Sequence, residues 1–342
     1  MALAKGHIAR GREGAVVDGD VPSTVRFFTL GDANYFLGAV ALVNSLRLVG
    51  HREGITFLDL GLEPLQRRLL GEECELFDVA REPDDHPWLY QPFARLTEPS
   101  GICVILDSDV IVTRRLDSLI GAARRGEIAG YRDPRLAARR VPEWEQRFGL
   151  RAPLRDGRVY VNSGLLAFDA EAHGDFLDRW WQVCAALGRS GYQRSDLHVK
   201  WADQDALNAL LMSEFAHAAR VLDDPVPMDD PEMAAVEIVD LDRLECRLQG
   251  RPVTALHSIG APKPWLRDAR FQLRPSPFLD CLRRLLVGDG LRLVVDRRKL
   301  PLWLRSGTRA AVTRSVLLQS DKVPRPVFGW AYRIKQRFAR NL

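Results

Sequence analysis

The chain has 342 residues, 46% apolar and 27% charged, an ordinary balance for a globular protein and enough for one large α/β domain with appendages or two smaller ones. Residues 1–25 lack the apolar segment of a secretory signal, and no stretch approaches the roughly 18 uninterrupted apolar residues of a bilayer span. Cys74, Cys103, Cys184, Cys246 and Cys281 are scattered and form no C-x-x-C pair, so a reduced, cytoplasmic setting is expected. The net charge of +4 is uneven: residues 291–342 hold 13 Lys and Arg against two acids. A basic tail on an acidic body suits an anionic partner such as a membrane surface or nucleic acid.

Residues 1–22 read as a flexible leader. From Val25 the chain alternates between strand and helix patterns. An apolar run at Val25–Leu30 meets a turn at Gly31-Asp32, and a helical pattern follows to Leu48. A second strand is expected at Ile55–Leu60 and a helix at Pro64–Leu70. Gly101 then precedes the apolar run Ile102–Leu106. Later expectations are a strand at Leu165–Phe168, helices at Phe176–Leu187 and Gln204–Glu214, and a strand at Val253–His257. Short apolar runs separated by helical patterns imply an α/β fold, a mostly parallel sheet with helices on both faces. From about Pro275 the chain turns into short basic-apolar segments, so the expected division is a leader 1–22, a domain 23–274 and a basic helical extension 275–342.

Two carboxylates, Asp107 and Asp109, follow the run Val104-Ile105-Leu106. Residues two apart on a strand point the same way, so both acids can address one ion. Ligands of open parallel sheets bind beyond the carboxyl ends of the strands, where this pair falls. Hard carboxylates favour Mg²⁺ or Mn²⁺, which bridge diphosphate oxygens. Read alone, the triplet is equally a solvated acidic turn. It also resembles locally the D-x-D of haloacid dehalogenase-type phosphatases. Those enzymes normally close their first strand with it and place Thr or Val where this chain has Ile111.

Four further segments bear on the choice. Thr29-Leu30-Gly31-Asp32-Ala33-Asn34-Tyr35 ends the opening strand, and Tyr35 is either a stacking face for a base or the first core residue of the next helix. Tyr160-Val161-Asn162-Ser163-Gly164-Leu165 reads as a turn before a strand. In Ala202-Asp203-Gln204-Asp205-Ala206-Leu207-Asn208, Asp203 stands where a helix cap belongs. His257-Ser258-Ile259-Gly260-Ala261-Pro262-Lys263-Pro264-Trp265 combines a metal-competent imidazole, a glycine that admits a phosphate and a lysine that neutralises one.

Together these segments, in this order over roughly residues 25–270, resemble glycosyltransferase family 8. These are the retaining GT-A enzymes that include glycogenin and bacterial lipopolysaccharide galactosyltransferases. The resemblance implies a GT-A fold, Rossmann-like with a mostly parallel mixed sheet, and transfer of a hexose from a nucleoside diphosphate sugar, a uridine diphosphate sugar by family habit. It implies a metal, Mn²⁺ (or Mg²⁺), on Asp107, Asp109 and His257. The donor would be bound by Asp32, Asn34, Tyr35, Asp107, Asn162, Ser163, Gly260 and Lys263, with Ser163 replacing the family's usual alanine. Gln204 and Asp203 would face the reacting sugar as catalytic groups. Arg95, in Phe93-Ala94-Arg95-Leu96, is the nearest match to a family arginine that contacts donor and metal site, but only eleven residues separate it from Asp107. The acceptor would be a hydroxyl of a glycan, lipid or protein, met by the variable segments Arg132–Leu154 and Gly188–Trp201.

In the tail, Val327, Trp330, Ala331, Ile334 and Phe338 recur at helical spacing among Arg333, Lys335, Arg337 and Arg340. That pattern is either a terminal helix packed on the body or an amphipathic helix for an anionic membrane. Some lipopolysaccharide-synthesising members of the family carry such a tail, so a cytoplasmic protein peripheral to the membrane is expected, and nucleic acid is not.

Overall fold

Five consecutive apolar residues, Ile102–Leu106, form a strand that is buried at every position, because the sheet around it is covered on both faces. The computed structural model describes residues 24–79, 92, 94–133, 141–155, 160–189, 198–228, 231–260, 262–266 and 275–319. The leader, residues 190–197 and the tail pattern from Val327 to Phe338 lie outside them. In chain order the elements are β1 (Val25–Gly31), α1 (Phe36–Leu48), β2 (Gly54–Asp59), α2 (Pro64–Leu70), β3 (Glu75–Asp78), β4 (Ile102–Leu106), β5 (Val110–Val112), α3 (Asp117–Arg124), β6 (Ile128–Arg132) and α4 (Trp144–Arg147). They continue with β7 (Val161–Asp169), α5 (Phe176–Arg189), α6 (Ala202–Leu211), β8 (Ala219–Leu222), β9 (Val236–Asp240), β10 (Glu245–Leu248), β11 (Arg251–Pro252), β12 (Ala255–His257), α7 (Pro277–Val287) and α8 (Thr308–Gln319).

Seven strands make one sheet in the order β3-β2-β1-β4-β7-β6-β8. Pairing is parallel for β1 with β2 and β4, β2 with β3, and β6 with β8. Strand β7 alone runs antiparallel to its neighbours β4 and β6. The chain thus has the mixed, mostly parallel α/β sheet expected. Six strands end at one edge, and the amino end of β7 joins them there, which sets residues 162–164 beside the end of β4. Side chains alternate between two cores: Phe27, Ile102, Val104 and Leu106 pack with α1, α3 and α7, and Phe28, Cys103 and Ile105 pack with α4, α5 and α6. All five cysteines are free and buried.

The apolar stretch Tyr35–Leu48, interrupted by Asn44, Ser45 and Arg47, becomes the buried helix α1, and each interruption has a partner. Arg47 Nε donates to Glu73 over 2.7 Å, and Ser45 Oγ accepts from Val112 N over 3.1 Å. Asn44 Nδ2 donates to Leu285 O and Leu293 O, and its Oδ1 accepts from Leu293 N, each over 2.9 Å. One side chain therefore satisfies three buried backbone groups. It ties residues 285–293, from the segment expected as an extension, into the main core. Asn44→Ala leaves those groups without partners, each costing about 1–3 kcal/mol, and lowers the unfolding free energy by about 3–5 kcal/mol in chemical denaturation. Hydrogen exchange of α7 rises first; a loss below about 1 kcal/mol contradicts the role given to Asn44.

Among the described residues no helix is long and apolar enough to cross a membrane.

Candidate active site

The acids Asp107 and Asp109 sit on the turn between β4 and β5. The short antiparallel pair β5–β12, in which His257 lies opposite Val110, brings the imidazole to them. His257 Nε2 lies 3.0 Å from Asp109 Oδ1 and 3.4 Å from Asp107 Oδ2. Lys263 Nζ ion-pairs with Asp109 Oδ2 and donates to Ser258 O over 2.6 Å. The backbone locks this arrangement, since Ser258 N donates to Asp109 O over 3.1 Å and His257 N to Pro227 O over 3.0 Å.

Burial alone would raise the Asp109 carboxyl, but the Lys263 and His257 charges outweigh it and hold this group well below the usual carboxylate range. Burial would likewise lower His257, yet the Asp109 and Asp107 carboxylates raise it to about 9, so the metal-free ring carries a proton at neutral pH. Lys263 is raised in the same way, the Asp109 charge overcoming burial. Asp109, His257 and Lys263 form a knot of opposite charges held out of water.

One ligand atom each from Asp107, Asp109 and His257 falls within 4.8 Å of the others. Gly164 forms the wall beside them: a Cβ there would lie 2.3 Å from Asp107 Oδ2 and 2.6 Å from His257 Cε1. Asp107 and His257 thus pack directly on Gly164, which only a residue without a side chain allows. Two carboxylates and an imidazole packed against a residue with no side chain are a donor set that fits a divalent metal ion. His257 Nδ1 is buried with no hydrogen-bond partner among the described residues, so the ring is oriented from its Nε2 side, without the outer partner that metal-binding histidines usually have.

Residues 162–164 are anchored from two directions. Asp107 N donates to Gly164 O over 2.9 Å. Gly164 N donates to Asn162 Oδ1 over 2.9 Å, and Asn162 Nδ2 donates to Gln204 Oε1 over 3.0 Å. Ser163 N also donates to Gln204 Oε1, over 3.3 Å. The Gln204 amide nitrogen donates to Asp133 Oδ2 over 3.0 Å and to the Tyr160 hydroxyl over 3.3 Å. Asp203 is not an N-cap: no side chain caps α6, and the Asp203 carboxylate accepts from Ser163 Oγ over 2.8 Å. Burial pushes that carboxyl up to about 6, against the Ser163 hydrogen bond, and the Asp107 charge adds to the rise. Asp205 secures the approach to α6, accepting from Tyr160 Oη over 2.6 Å and from Lys200 N over 2.6 Å.

The loop after β1 reaches the same place. Asn34 N donates to Asp32 Oδ1 over 2.9 Å, a local turn that leaves Tyr35 at the start of α1. The Tyr35 ring is half-buried and meets Trp265 edge to face, centroids 6.3 Å apart, and Lys263 Nζ lies 5.9 Å from its centre. Trp265 Nε1 donates to Asn34 O over 2.7 Å, joining the first and last segments of the site. Beneath them, a Cβ on Gly38 would lie 2.4 Å from Ser108 O and 2.6 Å from Trp265 Cη2, so α1 supports the acidic turn only because position 38 has no side chain.

The structure therefore brings together Asp32, Asn34, Tyr35, Asp107, Asp109, Asn162, Ser163, Asp203, Gln204, His257 and Lys263. Gly260 follows His257 on the same loop, where a side chain would meet nothing within 4 Å. Arg95 is directed elsewhere: its guanidinium pairs with Asp178 Oδ1 over 2.9 Å and stacks 4.1 Å from the Trp181 ring centre, both on α5. Asp133, Tyr160, Asp205, Gly38 and Gly164 were not singled out from the sequence. Asp133 carries one legible signal, an acid directly after a strand that ends at the same edge as β4.

No protein-family profile matches the chain, and no curated protein matches it in sequence. Among solved structures it is similar to the galactosyltransferase LgtC in complex with donor and acceptor sugar analogues, at 19% identity and a TM-score of 0.46, over 71% of this chain and 90% of that one. It is similar also to the bifunctional glycosyltransferase WbbM in its apo form, at 15% identity and a TM-score of 0.49, over 78% of this chain and 50% of that one. A third is the glycosyltransferase GlyE of Streptococcus pneumoniae TIGR4, at 19% identity and a TM-score of 0.45, over 71% of this chain and 56% of that one. The chain thus matches only about half the length of WbbM and GlyE.

Proposed function

We propose that the protein is a glycosyltransferase of the retaining GT-A kind, moving a hexose from a nucleoside diphosphate sugar to an acceptor hydroxyl. The observation that carries this reading is the convergence of Asp107, Asp109, His257 and Lys263, from segments about 150 residues apart, with Asp107 and His257 packed against Gly164. Asp107, Asp109 and His257 would hold Mn²⁺ (or Mg²⁺), and a bound divalent ion supplies positive charge to the diphosphate oxygens, making the diphosphate a better leaving group.

The chain's own residues do the rest. Lys263 lies next to Asp109 with its ammonium largely out of water, so a diphosphate entering beside the acids finds a second cation whose charge is little screened. Tyr35, beside Lys263 and braced by Trp265, offers a face to the base. Asp203, held by Ser163 and close to Asp107, receives a hydroxyl of the donor sugar and keeps the ring against the acids. The acceptor oxygen bonds to the anomeric carbon on the face from which the diphosphate departs, the carbon–oxygen bond to the diphosphate breaks, and a diphosphate oxygen takes the acceptor's proton. Retention of configuration follows. The acceptor is a glycan, lipid or protein hydroxyl, and a cytoplasmic site with the basic tail on an anionic membrane completes the proposal.

Thermal-shift screening of nucleoside diphosphate sugars tests it. A uridine diphosphate sugar raises the melting temperature with Mn²⁺ present and much less with a chelator. No metal-dependent stabilisation by any nucleotide sugar would count against the proposal. Release of phosphate from small phosphomonoesters would instead support a phosphatase, and binding without turnover a carrier of sugar nucleotides.

A further inference from the structure

The loop after β8 and the β10–β11 hairpin enclose a cleft of about 420 Å³ at the β8 end of the sheet. Along the edge that carries the site, the order runs from β1, which leads to Tyr35, through β4 with Asp107, β7 with Asn162 and β6 with Asp133, to β8 and the cleft. The metal acids therefore stand between the face offered to the base and this cleft. A ligand held in the cleft lies on the acceptor's side. Residues 225–227 join the two places, at most about 7 Å of chain: Thr254 N donates to Pro225 O over 2.9 Å at the cleft, and His257 N donates to Pro227 O over 3.0 Å at the acids.

The protein itself fixes the walls. Arg114 pairs with Asp224 over 2.5 Å and donates to Thr254 Oγ1 over 3.0 Å, and Arg251 Nη2 donates to Asp223 O over 2.6 Å. Other polar groups of the lining are left to a ligand. Among the described residues the Gln249 amide makes no hydrogen bond, and the Arg132 guanidinium has only the Asp223 carboxylate, 3.8 Å away. Gln249 and Gly250 make the two-residue turn of the hairpin with φ of 51° and 77°, a left-handed pair that favours glycine, asparagine or aspartate. A glutamine at the first of these positions goes against the backbone's preference, and it lines the cleft.

Both signs of charge meet here. Arg132 and Arg251 line the cleft together with Asp223, Asp224 and Glu232, so an anionic ligand would meet the acids and a cation the arginines. Between them Leu222, Val226 and Leu248 supply apolar surface. An uncharged sugar satisfies such a lining, because each hydroxyl both donates and accepts while the ring carbons present apolar faces. We propose that the cleft is a subsite for an uncharged sugar of the acceptor glycan, beyond the sugar whose hydroxyl reacts, with Arg132, Asp223, Gln249 and Arg251 as its hydrogen-bonding groups. This inference rests on the glycosyltransferase reading above and narrows the acceptor to an oligosaccharide.

The test applies fluorescently labelled full-length protein, with Mn²⁺ and uridine diphosphate, to an array of uncharged, phosphorylated and sialylated oligosaccharides. The expected result is retention of uncharged oligosaccharides of two or more sugars. Gln249→Gly suits the turn and removes only the amide, and it raises the half-saturating protein concentration about 3–10-fold; Arg132→Ala raises it about 10-fold. Both variants keep the Mn²⁺-dependent thermal stabilisation by a nucleotide sugar, which shows that the fold and the donor site are intact. Should Arg132→Ala not fold, Gln249→Gly decides alone. Wild-type retention of uncharged glycans by the folded variants, retention of charged glycans alone, or retention of none overturns the inference. The two failures separate. A wild type that no nucleotide sugar stabilises with Mn²⁺ refutes the glycosyltransferase reading and the acceptor role with it, whereas stabilisation without glycan retention refutes the cleft alone.

Discussion

Asp109→Asn is expected to remove Mn²⁺-dependent turnover, lowering kcat/KM by about 10³-fold, roughly 4 kcal/mol at the barrier. The amide keeps the shape of the side chain but removes one of the two negative charges available to a divalent ion. It also takes from the Lys263 ammonium the carboxylate it pairs with, leaving Ser258 O as its hydrogen-bond acceptor. A buried cation without its counter-ion turns toward solvent or loses its proton, and either change withdraws it from the diphosphate. Steady-state rates over a range of Mn²⁺ concentrations check this. Turnover within 10-fold of wild type, with unchanged metal dependence, contradicts the role given to Asp109.

Gly164→Ala should be nearly as damaging by a different route. The added methyl carbon meets Asp107 Oδ2 at 2.3 Å and His257 Cε1 at 2.6 Å, closer than atoms can pack. The histidine is buried on all sides, whereas the Asp107 side chain is 29% exposed, so the carboxylate yields and swings outward. Overpacking of this kind costs about 1–3 kcal/mol of stability, which a folded domain survives. The ion, however, loses a ligand and the space beside it. A folded variant by circular dichroism with Mn²⁺ affinity reduced at least about 10-fold is the expected result. Undiminished metal binding would mean that Gly164 is not a wall of the metal pocket.

Much of the scaffold near the site was legible in the residues. Strand β4 lies where Gly101 and Asp107 bound an unbroken apolar run, and α2 starts at Pro64 behind a reciprocal Glu63–Gln66 cap. Other elements were invisible for physical reasons. Strand β5 is three residues long and owes its form to β12 across some 140 residues of chain, so it has no pattern of its own, whereas β12 falls within the strand expected at Val253–His257. The direction of β7 is a property of pairing, and no residue type encodes it. The same limit governs the site. Carboxylates two apart and the segment from His257 to Trp265 announce themselves by chemistry and order. The line from Asp133 through Gln204 to Gly164 exists only because β6, β7 and α6 meet at one edge. Arg95 shows the converse: a local match to a motif, in a chain whose α5 supplies Asp178 and Trp181 as partners for the guanidinium.

The central claim is that these acids and the histidine hold an ion which in turn holds a diphosphate. Metal and nucleotide must then tighten one another by the same factor. The most direct measurement is calorimetric titration of Mn²⁺ into the full-length protein with and without uridine diphosphate. The account predicts that the nucleotide tightens Mn²⁺ binding at least about 10-fold and that Asp109→Asn abolishes the coupling. Equal Mn²⁺ affinities in the two titrations, after correction for Mn²⁺ bound by free nucleotide, would contradict it.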